Sequence, residues 1–146
     1  MPRYETDADL ANEMAAIEQW LPNFKNYQAV KLGQYDLDFE VHRASTPEGK
    51  FKKLCCVEVK CYNVPHNKYP IQVLSLIKLR KLQAEAKKIR TFLVCRYSDG
   101  VILYIDATRI TGEIGMFSRK NQREGNTNDT EMCIRIPKSN FIKQKP

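Results

Sequence analysis

The chain reads as an α/β protein built on a mixed sheet, and three features point that way. Residues 7–21 form an amphipathic helical stretch. Residues 34–43 and 51–62 are two strand-like runs separated by a turn. A long helical pattern and two further apolar runs follow them. The length of 146 residues fits one domain, and with 42% hydrophobic residues a core can form. We expect a single domain over 1–146, with its core at about 7–107 and a C-terminal loop and edge strand over 108–146.

Thr6 or Asp7 can cap the first helix, and acidic residues crowd its first turn, where they complement the helix dipole. Leu10, Met14, Ile17 and Leu21 recur three to four apart and predict its buried stripe; Pro22-Asn23 ends it. In 34–43 the side chains alternate. Tyr35, Leu37, Phe39 and Val41 take one face, and Asp36, Asp38 and Glu40 the other. Ser45-Thr46-Pro47-Glu48-Gly49 is a turn signal, so 34–43 and 51–62 are expected to pair as a hairpin. After a loop from Asn63 to Pro70, the spacing predicts a helix over 71–90 with Val73, Leu76, Leu79, Leu82, Ala86 and Ile89 inward. Ser75, Lys78, Lys81, Glu85 and Lys88 line another face. Two strands, 91–98 and 101–107, meet at the tight turn Asp99-Gly100. Residues 111–130 read as an irregular polar loop, and 131–136 as an edge strand stopped by Pro137.

The formal charge is +7, and it is unevenly placed. Residues 1–40 hold 3 basic and 8 acidic side chains, whereas 41–100 hold 13 and 4. A basic central section attracts phosphate backbones. The five cysteines, Cys55, Cys56, Cys61, Cys95 and Cys133, lie mostly in apolar runs and read as reduced, packed thiols in a reducing, cytoplasmic compartment. Cys55 and Cys61 share one strand parity and Cys56 the other, which argues against a zinc site. No apolar run approaches the ~20 residues of a membrane span. The acidic, polar first ten residues do not read as a secretory signal.

The chemistry concentrates in Tyr35-Asp36-Leu37-Asp38 and in Val57-Glu58-Val59-Lys60. Strand residues two apart share a face, so Glu58 and Lys60 are neighbours roughly 6–7 Å apart. Pairing of the two strands would bring Asp36 or Asp38 beside Glu58. Two carboxylates placed together repel, and a divalent cation relieves that repulsion. Mg²⁺ favours one or two carboxylates plus waters and phosphate oxygens. A lysine beside such a site can orient an attacking water and steady charge on a scissile phosphate.

Asp36 followed by Glu58-x-Lys60, on a helix–strand–strand–helix–strand frame, resembles the PD-(D/E)XK nuclease superfamily, which includes restriction endonucleases, Holliday-junction resolvases and small phage or repair nucleases. The resemblance covers roughly residues 7–107; Tyr35 stands where the family name has proline. It implies a restriction-endonuclease-like mixed sheet of four to five strands flanked by helices. It also implies a metal-dependent nuclease acting on DNA. Asp36 and Glu58 would hold Mg²⁺ or Mn²⁺, with Asp38 as the alternative to Asp36, and Lys60 would serve the attacking water. An acid on the first helix would assist; Glu13 is the candidate and Glu18 the alternative. The family's Gln or Lys on the following helix would be Gln72 or Lys78. Lys53, Lys68, Lys78, Lys81, Arg119 and Lys120 are candidate phosphate contacts. The chain's size suggests recognition of nucleic-acid structure, or a homodimer that places two sites across a duplex. Two further readings compete: a nucleic-acid-binding module of the same fold without catalysis, and an RNA-processing nuclease.

Overall fold

The computed structural model describes residues 7–23, 27–31, 39–43, 52–118 and 130–144. Helix α1 (Asp7–Trp20) runs into a 3₁₀ turn, Leu21–Asn23. Three strands follow: β1 (Tyr27–Lys31), β2 (Phe39–Arg43) and β3 (Lys52–Cys61). Strand β4 (Ile71–Ser75) leads directly into α2 (Leu76–Ala86). Then come β5 (Arg90–Arg96), β6 (Ile102–Asp106), β7 (Glu113–Ser118), β8 (Thr130–Pro137) and β9 (Ile142–Gln144).

The main sheet has six strands in the order β1-β2-β3-β5-β6-β9, and a second, three-stranded sheet runs β4-β8-β7. The main sheet is mixed because β3 pairs antiparallel with β2 and parallel with β5. Helix α1 covers one face, where Ala16, Ile17 and Trp20 pack on Phe39, Val41, Val57, Val59, Phe92 and Val94. Helix α2 and the second sheet cover the other, where Leu79, Leu82, Leu74, Ile134 and Ile136 pack on Cys56, Leu93, Cys95 and Leu103. A strand buried on both faces reads as a near-continuous apolar run, and 90–96 does.

The expected α/β architecture is present, and its details differ in several places. The α1 stripe is rotated. Ala16, Ile17 and Trp20 are fully buried, whereas Met14 is 38% exposed. Small Ala16 allows close approach to the sheet, and Trp20 packs at 5.4 Å from the Phe92 ring and 5.9 Å from Tyr104. The helix expected over 71–90 is shorter, because 71–75 is strand. Its β-branched Ile71 and Val73 alternate with buried Gln72 and Leu74, and the strand pairs with β8. Ser75 then caps α2 by accepting the Lys78 N–H at 3.2 Å. The segment expected to be an irregular loop contains β7, which pairs with β8. Strand β8 is therefore the middle strand of the second sheet and not an edge. The β5–β6 hairpin is as expected, with Gly100 at φ 78°, the left-handed conformation its turn requires.

All five cysteines are free thiols, and among them Cys61 is exposed. Burial pushes the thiols of Cys55 and Cys95 up to about 12 and that of Cys56 to about 11. An alkylating reagent at pH 8 is expected to modify one thiol, Cys61, in the folded chain and all five after denaturation. Intact mass spectrometry reads this directly, and rapid labelling of a second thiol in the folded state would contradict the packing described here.

Candidate active site

Strand β3 lies at the centre of the main sheet, and its alternation separates structure from chemistry. Cys55, Val57 and Val59 belong to the core beneath α1, and Cys56 belongs to the core beneath α2. Glu58 and Lys60 share the parity of Cys56 and so face α2. Glu58 is 1% exposed, which makes it one of the few charged side chains in the interior. A buried carboxylate without a cation costs several kcal/mol. Here two ammonium groups approach the same oxygen: Lys78 Nζ lies 2.6 Å from Glu58 Oε1, and Lys60 Nζ lies 3.9 Å from it. Lys60 and Lys78 keep 37% and 28% of their side chains open to solvent, so the group sits at a polar mouth and not in a sealed cavity.

Local sequence explains why Lys78 arrives there. The Ser75 cap starts α2, and Lys78 stands in the first turn, facing back toward β3. Of the two candidates for the position after the Glu-x-Lys strand, Lys78 is the one on the helix and in contact with Glu58. Gln72 is on β4, nearly buried, and holds structure instead. It accepts from the Tyr97 hydroxyl at 2.7 Å and donates to the Val73 carbonyl at 3.1 Å. Tyr97 in turn stacks on Tyr62 at 5.4 Å between ring centroids.

Glu13 stands four residues before Ile17 and three before Ala16, at the head of the inward stripe of α1. The Cys61 thiol, bonded to the Asn12 carbonyl at 3.5 Å, places this part of α1 beside the C-terminal end of β3. Glu13 therefore approaches that end from the sheet face opposite Lys78. Glu18 is exposed. Asp36 and Asp38 lie outside the described residues, as do Arg119 and Lys120.

Lys53, expected to meet phosphates, is engaged by the protein: its Nζ lies 3.2 Å from Glu40 and 3.5 Å from Glu85. His42 Nε2 shares Glu40 at 2.8 Å. Burial would raise the Glu40 carboxyl, but the hydrogen bonds from His42 and Lys53 outweigh it, and the group is held below the ordinary value. The stability contributed by this pairing is present above the unfolded carboxylate value and is lost as acid titrates Glu40. Lys68 and Lys81 are exposed. Lys68 lies over the Tyr69 ring at 5.6 Å from its centroid.

Among the described residues no group of three His, Cys, Asp or Glu side chains converges as a complete metal cage. The hard oxygen donor of Glu58, buried behind two part-exposed lysines, fits a site that Mg²⁺ or Mn²⁺ would share with a second carboxylate, waters and substrate oxygens. No helix of the described residues is long and apolar enough to cross a membrane.

Known proteins resemble this chain in family and in fold. Residues 1–144 match the family model described as "Phage putative PDDEXK endonuclease". Among solved structures, the Holliday junction resolvase Hjc of Archaeoglobus fulgidus, an archaeal hyperthermophile, superposes with a TM-score of 0.51 at 11% identity, covering 89% of this chain and 87% of that one. At that identity the likeness speaks for the fold, which is restriction-endonuclease-like. No curated protein sequence matches. With nearly its whole length matched by the family model, this chain belongs to the phage PD-(D/E)XK endonuclease family.

Proposed function

We propose that the chain is a divalent-metal-dependent deoxyribonuclease that hydrolyses phosphodiester bonds and selects its substrate by structure. The observation that carries this reading is the Glu58 carboxylate, 1% exposed on the central strand with Lys60 and Lys78 at one of its oxygens. A carboxylate buried on this scale needs cations to offset its desolvation, and here both cations reach it from a solvent-facing side that a phosphate can approach. The +7 net charge and the open ends of both lysines suit an anionic polymer.

In this reading Glu58, with Asp36 or Asp38, holds Mg²⁺ or Mn²⁺, which when bound supplies Lewis-acid polarisation of the scissile phosphate and lowers the pKa of a bound water. Lys60 orients the attacking water through Nζ and stabilises charge on the phosphate oxygens. Lys78, in the first turn of α2, pairs with Glu58 and presents a second ammonium to the same phosphate. Glu13 assists from α1. Lys68 and Lys81 contact the backbone further along the strand, and Arg119 and Lys120 do so from the 119–129 segment. The structural neighbour is a Holliday junction resolvase and covers most of this chain, which favours branched DNA; the chain's size suits a homodimer that places two sites across a duplex. The whole of 1–146 acts as one catalytic domain, and its five free thiols suit the reducing cytoplasm of a cell.

The test is incubation of the purified chain with labelled four-way-junction, duplex and single-stranded DNA, and with matched RNA, in Mg²⁺, Mn²⁺ or EDTA. Cutting of DNA in either metal and none in EDTA is the expected result, with the junction cut fastest. Tight binding without cleavage in any metal would replace this reading by a binding module. Preference for RNA would move the substrate class.

A further inference from the structure

The loop that follows the Glu-x-Lys strand is held more firmly than an exposed connection requires. Its first residue bonds back to the sheet, Tyr62 N–H to the Arg96 carbonyl at 2.9 Å, and Ser98 N–H reaches the Val64 carbonyl at 3.0 Å. Lys138, from the turn after β8, donates its backbone N–H to the Pro70 carbonyl at 2.9 Å and its ammonium to the His66 carbonyl at 2.7 Å. The same ammonium lies 4.6 Å from the centroid of the Tyr97 ring. These bonds fasten both ends and the middle of the loop through backbone groups.

On that platform stands a histidine with a fixed ring. His66 Nδ1 is 2.6 Å from Asp99 Oδ2, which also accepts the His66 backbone N–H at 3.2 Å. Asp99 Oδ1 accepts the Val101 N–H at 3.2 Å. The His66 side-chain bond, with weaker help from these backbone bonds, holds the Asp99 carboxyl below the ordinary aspartate range. A carboxylate on Nδ1 places a proton there and leaves Nε2 for another partner. Among the described residues Nε2 has no hydrogen-bond partner. The loop is already tied down by its backbone, so the bond to Asp99 adds the aim of the ring. Lys68 and Lys138 flank it, and the loop leaves β3 at the end that carries Lys60.

We infer that His66, aimed by Asp99, is a binding subsite for a backbone phosphate of the nucleic-acid strand other than the one being cut. Four residues of extended strand, roughly 13 Å, separate Glu58 from the start of the loop, so the phosphate met here is not the one at Glu58. Both nitrogens of a charged imidazole are donors, one to Asp99 and one to the phosphate. The inference rests on the nuclease reading above.

The test measures binding of fluorescently labelled four-way-junction and duplex DNA by anisotropy, in a Lys60→Ala background with Mg²⁺. His66→Asn keeps an amide donor near the Nδ1 position and removes Nε2; His66→Gln does the reverse. His66→Asn is expected to bind roughly tenfold more weakly, as loss of one charge-assisted hydrogen bond would give, and His66→Gln to recover part of that. A set of DNAs, each with one neutral methylphosphonate linkage, locates the contact. One position should weaken the parent and leave His66→Asn unaffected. Equal binding by parent and His66→Asn at matched melting temperatures overturns the subsite alone. So does a methylphosphonate effect that adds to the variant's loss at every position. If His66→Asn melts early, His66→Gln decides: binding near parental strength together with the methylphosphonate signal supports the subsite, and a tenfold loss without it overturns it. A parent that binds neither DNA overturns the subsite together with the nuclease reading.

Discussion

Lys60→Ala is expected to lower DNA cleavage by roughly 10²–10⁴-fold, the range that a positioned proton-transfer or water-orienting group supplies. Its melting temperature should stay close to that of the parent. The Lys60 side chain is 37% exposed and its ammonium lies 3.9 Å from Glu58, so as a stabilising pair it resembles a surface contact worth about 0–1 kcal/mol. Glu58→Gln should abolish cleavage as completely, because the amide keeps the shape of the side chain and loses the negative charge. The two variants differ in metal response. Lys60→Ala retains the carboxylate and should still bind Mn²⁺ in a calorimetric titration, whereas Glu58→Gln should not. Cleavage by either variant at the parental rate would remove the site proposed on β3.

This division of roles was legible in the sequence because a strand has a period of two. Val57 and Val59 on one face, with Glu58 and Lys60 on the other, can be read from four letters, and the structure keeps that alternation. The hairpin at Asp99-Gly100 was legible for the same kind of reason, since a turn residue with positive φ leaves a local signature. Strand β4 was hidden because Val73 continues the three-residue spacing of Leu76, Leu79 and Leu82 in the helix that follows. The β-branched residues and the Ser75 cap were the available signals against one long helix. Strands β1 and β9, of five and three residues, are too short for alternation to stand out, and they depend on neighbours for their pairing. The inward turn of α1 toward Trp20 is a packing outcome, decided by what the sheet offers opposite it. The His66–Asp99 pair spans 33 residues and exists only because the β5–β6 turn folds beside the loop after β3. No local pattern encodes such a meeting. The acidic partner of Glu58, Asp36 or Asp38, rests on sequence, since both lie outside the described residues.

Lys78→Met is expected to cost about 3 kcal/mol of stability, near the lower end of what removing one partner of a buried pair costs. The reason is asymmetry of burial. Glu58 is 1% exposed and cannot move to water, whereas Lys78 reaches it from the solvent side at 2.6 Å. Lys60 stays within 3.9 Å of the same oxygen, which keeps the loss from being larger. Glu58→Gln alone should cost less, because the ammonium left behind can turn outward and be hydrated. In the double variant, Glu58→Gln with Lys78→Met, the charge that made the first change expensive is gone. The combined loss should therefore fall short of the sum by roughly 1–3 kcal/mol in urea unfolding. Additivity within about 0.5 kcal/mol would mean that the contact carries no energy and that Glu58 is held by other groups. Divalent ions supply a second reading of the same charge. A cation bound at Glu58 stabilises the folded chain in proportion to its affinity. Mg²⁺ or Mn²⁺ should therefore raise the melting temperature of Lys78→Met more than that of the parent, in which an ammonium already occupies that side of the carboxylate. An equal rise in both would place the ion away from the oxygen that Lys78 touches.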